Sequence, residues 1–192
     1  QEVAHILATD ASSPSKPLAG IFHLAGLAGD GRIVDLRWAD FLAPGTAKIH
    51  GSHHLHTQAT AGKVALDHFV LFTSIYGLLG NPQLSHYAAA NAYQDGLAHA
   101  RLGEGLPALA VSWGTWAGAG MAHRFGAGFE KYWKGQGMDF IPLDAGLAAL
   151  GLLMAPAAAG TADRLPHYAY MPARWAAYAR ARGPRLPQPL TA

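Results

Sequence analysis

The sequence predicts an α/β protein built on a doubly wound parallel sheet, and three observations carry that reading. Leu18–Leu24, Leu66–Phe72 and Ala108–Trp113 are compact apolar runs of the kind that form buried parallel strands. The second of them, Leu-Asp-His-Phe-Val-Leu-Phe, is rich in β-branched and aromatic residues. Between the runs lie longer segments with helical character, and strands alternating with helices imply a parallel sheet closed by crossover helices.

Taken in order, Gln1–Leu7 reads as a short amphipathic segment and Thr9–Pro17 as a Ser/Pro-rich loop. The first strand ends in Ala25-Gly26. Trp38–Thr60 reads as helix with an interruption around Pro44-Gly45, and Ser85–Leu102 as a long Ala-rich helix whose small residues suit close packing on a sheet. Pro142–Met154 and Ala173–Arg182 are further helices, with a short strand at Tyr168–Tyr170. Residues 1–183 read as one folded region and 184–192 as a Pro-rich linker. Leu18–Leu24 is apolar on both faces, as a central strand would be, yet little before it could supply a neighbour. The first half of the fold is therefore expected to lie outside this stretch.

Composition narrows the class. With 51% hydrophobic and 14% charged residues, 192 residues build a cored domain rather than a disordered one. A net charge of +2 from scattered basic residues argues against a nucleic-acid surface. The chain has no Cys, so disulfides and thiolate metal sites are unavailable. Its longest apolar stretch, Gly146–Gly160, is too short to span a bilayer and contains Pro156. No signal peptide is read in the polar and charged opening residues, and a cytoplasmic location is expected. His50, His53, His54 and His56 are crowded enough to suggest a metal, but no acidic third ligand accompanies them, and none is expected.

Chemistry concentrates where Phe72-Thr73-Ser74 is followed by Tyr87-Ala88-Ala89-Ala90-Asn91. Ser74 falls at the end of a strand, where doubly wound sheets place their ligands. Tyr87 and Asn91, four apart, share a helix face. A phenol can deliver a proton to a ketone as hydride arrives, provided a nearby cation lowers its pKa. Lys48, in Ala47-Lys48-Ile49-His50-Gly51, is the candidate cation.

Ser and Tyr thirteen apart resemble the short-chain dehydrogenase/reductase superfamily. Most of its members place Lys four residues after the Tyr and a catalytic Asn upstream; here Asn91 follows the Tyr and Lys48 precedes it. That exchange is similar to the ketoreductase domains of modular polyketide synthases and animal-type fatty acid synthases. Further motifs agree in order: Phe22-His23-Leu24-Ala25-Gly26, Lys48 to Gly51, Phe69 to Ser74, Trp113-Gly114-Thr115-Trp116 and Gly146-Leu147-Ala148-Ala149-Leu150. The likeness runs from about Pro17 to the C-terminus.

The resemblance implies a Rossmann-like sheet, incomplete here, and NADPH-dependent reduction of a β-ketoacyl thioester carried by an acyl carrier protein. Tyr87 would protonate the substrate oxygen and Ser74 orient it; Lys48 would hold the cofactor ribose and tune Tyr87; Asn91 would position Lys48. Ala25, Gly26, Gly114 and Thr115 would line the cofactor. Met121 to Met138 would form a mobile lid, and Trp113 and Trp116 would pack beneath the site. Asp30, in Ala28-Gly29-Asp30, and Leu71, before Ser74, stand at positions taken with Met121 as controlling substrate entry; Asp30 favours a D-configured β-hydroxy product. The family's Gly-rich pyrophosphate turn has no counterpart, because Gly26, Gly29 and Gly31 have other spacing and follow another strand. This stretch alone is expected to bind NADPH poorly. A fatty-acid-synthase-type ketoreductase and an inactive structural remnant are the alternatives.

Overall fold

The structure, a computed structural model, describes residues 3, 5, 7, 17–118, 126–155 and 165–183. The linker expected at 184–192 lies outside the described residues. Four strands, β1 (Gly20–His23), β2 (His68–Ser74), β3 (Leu109–Trp113) and β4 (His167–Tyr170), form one parallel sheet in the order β1-β2-β3-β4. Gly20 of β1 stands opposite His68 of β2, and His23 opposite Leu71. Each strand lies beside the one before it, so the crossovers all step the same way. A doubly wound sheet reverses that direction once, and ligands gather outside the carboxyl ends of the strands near the reversal. Among the described residues β1 is the edge strand at which such a reversal would occur.

The helical segment after β1 is α1 (Trp38–Gly45), a π-helical turn (Thr46–His50) and α2 (Gly51–Ala61). Pro44 lies inside α1, where it has no N–H to donate and its ring crowds the preceding turn. The backbone widens just beyond it, and the Gly51 N–H reaches back to the Thr46 carbonyl. The interruption read at Pro44-Gly45 is thus a π-turn within a continuous helix, and Lys48 sits in it. The short helix α3 (Tyr76–Leu79) then leads to α4 (Ser85–Gly103).

The chain divides into two compact units, Gln1–Ser112 with Pro156–Tyr168, and Trp113–Ala155 with Ala169–Ala192. The first has a core of Leu7, Ile21, Ala59, Phe69, Leu71, Leu97, Ala98 and Ala110. Ala98 of α4 lets the helix lie close on Phe69 and Leu71 of β2, each worth about 1.5–3 kcal/mol in burial. β2 starts two residues later than its apolar run and takes in Ser74, because the Asp67 and His68 N–H groups both donate to the Ala19 carbonyl at its start.

The second unit holds α5 (Gly126–Gly135), α6 (Leu143–Met154) and α7 (Trp175–Arg182). Part of the expected lid is therefore helix, although its glycines read as loop. Two i,i+4 pairs support it: Phe129 stacks on Trp133 at 5.4 Å, and Lys134 meets Glu130 at 2.7 Å. The glycine opening Gly146-Leu147 is dictated by packing, since a Cβ there would sit 2.3 Å from the Trp116 ring. No helix among the described residues is long and apolar enough to cross a membrane.

Candidate active site

Ser74 is the last residue of β2, and its Oγ accepts the Tyr76 N–H at 3.3 Å as the chain turns into α3. Tyr87 lies in the first turn of α4 and Asn91 one turn further on, both buried. Lys48 is buried in the π-turn, with its Nζ 5.9 Å from the centroid of the Tyr87 ring. That ammonium donates to the Phe72 carbonyl of β2 at 2.8 Å and to Gln94 Oε1 of α4 at 3.1 Å. Gly26 closes over it: a Cβ at that position would lie 3.0 Å from Lys48 Cε. Strand end, π-turn and helix thus bring Ser74, Tyr87, Asn91 and Lys48 together.

The electrostatics follow from burial. Desolvation lowers Lys48 from 10.5 to about 8, opposed by the negative charge of Asp95. Tyr87 is raised above its ordinary value by burial, while the hydrogen-bonding side chains of Asn91 and Ser74 pull the other way. The sequence led us to expect a phenol pulled down by Lys48. Burial sets the direction instead, and Tyr87 is held as the neutral phenol, the form able to donate a proton.

Asn91 differs from its implied role. Its Nδ2 donates to the Tyr87 carbonyl one turn back, at 2.7 Å, and its Oδ1 is buried without a hydrogen-bond partner. The side chain that holds Lys48 is Gln94, whose Nε2 also donates to the Lys48 carbonyl at 3.2 Å and faces His23 Nδ1 at 2.9 Å. His23 is held below its usual range by burial and by the Lys48 charge. Asp95 heads a second buried group: its Oδ1 lies 3.4 Å from His167 Nε2, which also meets Ser112 Oγ at 2.9 Å, and Ser112 meets Thr73 Oγ1 at 3.0 Å. Burial raises Asp95 and lowers His167. Gln94, His23 and Asp95 were missed from sequence. For Gln94 and Asp95 the signal was a run of polar residues along the buried face of α4, continuing from Tyr87 and Asn91 at turn spacing; His23 comes from the end of β1.

The remaining candidates are distributed more widely. Ala25 is exposed on the loop after β1, as is Asp30. Gly29 and Gly31 of that loop serve packing: a Cβ on Gly29 would lie 1.8 Å from His86 Nε2, and Gly31 has φ of 149° with Leu36 against it. Leu71 does not reach the site, being wholly buried in the core between sheet and helix. Met121 lies outside the described residues. Gly114 and Thr115 belong to the second unit, where Gly114 N–H donates to the Tyr170 carbonyl and Thr115 O accepts the Ile141 N–H. Trp113 packs against Trp116 there at 4.8 Å, and Trp133 is buried while Tyr132 is exposed. In the histidine cluster, His53 meets the Tyr93 hydroxyl and His56 the Arg101 guanidinium.

The chain is similar to known proteins. The family model described as KR domain matches residues 1–118. Erythronolide synthase EryA3 of Saccharopolyspora erythraea is 34% identical over 149 residues, 78% of this chain and 4% of that protein. Polyketide synthase GfsA of Streptomyces halstedii is 45% identical over 108 residues, 55% of this chain and 1% of that protein. Among solved structures, an A1-type ketoreductase superposes with a TM-score of 0.82 at 31% identity, over 97% of this chain and 38% of that one. PlmKR1, the ketoreductase from the first module of phoslactomycin biosynthesis in Streptomyces sp. HK803, gives 0.84 at 28% identity, over 98% of this chain and 41% of that one. The chain thus spans about two fifths of these ketoreductases and a few per cent of the synthases.

Proposed function

This chain belongs to the KR-domain family, the ketoreductases of modular polyketide synthases, and from that premise we propose that it carries the catalytic residues for reducing a β-ketoacyl thioester, borne by an acyl carrier protein, to its β-hydroxy counterpart with NADPH. The observation that carries the reading is the meeting of Ser74, Tyr87 and Lys48 at the carboxyl end of β2. When bound, a nicotinamide cofactor would supply the hydride that this reduction requires. Tyr87 gives its phenolic proton to the carbonyl oxygen, and Ser74 Oγ donates a hydrogen bond that orients the same oxygen. Lys48 spends two of its three donors within the protein, which leaves one for a cofactor ribose. Gly26 allows close approach beside it, because any larger residue would press on the Lys48 side chain.

The residues fit the reacting end of such a cofactor and not its pyrophosphate, since Gly29 and Gly31 are committed to packing on His86 and Leu36. We propose that a Gly-rich nucleotide-binding segment pairs at the edge of β1 in the intact protein. Phe22, 47% exposed in the middle of that strand, supports this, since an open apolar edge invites a further strand. Calorimetry with NADPH separates the possibilities. The chain alone should bind weakly or not at all, and tight binding without any added segment would overturn the proposal.

A further inference from the structure

We propose that Gln94 is a positioning residue of the reductive site, its amide fixing the Lys48 ammonium against the end of β2 so that one N–H is left for a ligand. The assignment of its atoms is unambiguous. Lys48 Nζ can only donate, so the Gln94 atom 3.1 Å away is the oxygen. The Nε2 must then donate, to the Lys48 carbonyl at 3.2 Å and to His23 Nδ1 at 2.9 Å. His23 Nδ1 is consequently an acceptor, and the imidazole is neutral with its proton on Nε2. Both amide N–H groups and the amide oxygen are spent, and Gln94 is wholly buried, so it has one orientation.

The amide links three elements. Gln94 belongs to α4, Lys48 to the π-turn and His23 to the end of β1, while the Phe72 carbonyl adds β2 as the second anchor of the ammonium. A buried amide bound on all sides loses little freedom on ligand binding, so it can hold a flexible four-carbon side chain in a single place. An apolar residue at 94 would leave Lys48 with one protein acceptor and two donors to satisfy. The groups facing Lys48 are then Tyr87 and Asp95 from α4 and His23 from β1, and none of them accepts a hydrogen bond from it.

What Lys48 does rests on the ketoreductase reading; what Gln94 does to Lys48 does not, and the test separates them. The Lys48 side-chain resonance is followed against pH in protein carrying isotope-labelled lysine, assigned by its loss in Lys48→Met. Removing the acceptor in Gln94→Leu should weaken proton affinity at Lys48 roughly tenfold, an apparent midpoint lower by about one pH unit. Gln94→Glu, which places a carboxylate beside the ammonium, should move it upward by a similar amount. Opposite shifts in two variants with wild-type melting behaviour are not produced by a general loosening. If Gln94→Leu does not fold, the direction in Gln94→Glu decides alone. An unchanged midpoint in the folded variants overturns the assignment, whatever the activity. Shifted midpoints in an intact protein that reduces no β-ketoacyl thioester would leave Gln94 in place and overturn the functional reading instead.

Discussion

Raising the pH from neutrality towards the ordinary lysine range should stabilise the wild-type chain relative to Lys48→Met. Lys48 is held at about 8 in the folded protein, because burial removes water from its ammonium, against 10.5 when unfolded. Below about pH 8 both states carry the proton, and the full cost of a buried ammonium weighs on the fold. Between the two values the folded chain has released a proton that the unfolded chain still holds. The unfolded state then binds more protons, and stability rises with pH. Above 10.5 both states are neutral and the gain is complete. At about 1.4 kcal/mol per pH unit the gap amounts to on the order of 3 kcal/mol. Met has no proton to lose, so the difference between wild type and variant should climb by that amount across the window, while contributions from other groups cancel. Urea unfolding of both proteins at closely spaced pH values measures it. A difference that stays flat, or that falls as pH rises, would refute the claim that Lys48 is a charge kept in the site at the expense of stability.

Gly29→Ala should destabilise the fold by about 1–3 kcal/mol, because its Cβ would fall 1.8 Å from Nε2 of His86, which is only 2% exposed. Combining it with His86→Ala should recover most of that loss in thermal melts, and a double variant no better than the single one would count against the packing argument. Asp30, exposed on the loop after β1, leads us to expect a D-configured β-hydroxy product from the intact protein; chiral chromatography of the reduced thioester decides, and a mainly L-configured product contradicts it.

The strands and the long helices were legible because their apolar runs and Ala-rich stretch act locally. Ser74, Tyr87 and Lys48 were legible because their order in the chain is itself a signature. Other features depend on contacts that spacing does not encode. The π-turn around Lys48 has no compositional mark beyond Pro44, and α5 was obscured because its glycines outweigh two side-chain pairs that become visible only once the helix exists. Gln94 reads as an ordinary polar residue of a helix, since its partners Lys48 and His23 lie 46 and 71 residues away. Leu71 was placed near the substrate by its distance from Ser74 in the chain, but alternation along β2 turns it into the core. The direction of Tyr87's shift was misjudged for a similar reason: the neighbouring cation was legible, the depth of burial was not.

The central claim is that Tyr87 protonates the substrate oxygen, and Tyr87→Phe tests it most directly because only the phenolic oxygen is removed from a buried ring. The measurement is NADPH-dependent turnover of a β-ketoacyl thioester by the intact protein, with circular dichroism and cofactor affinity recorded in parallel. Fold and affinity should be nearly unchanged while turnover falls ~10² to 10⁴-fold, the usual contribution of a positioned general acid. Wild-type turnover in Tyr87→Phe would contradict the account.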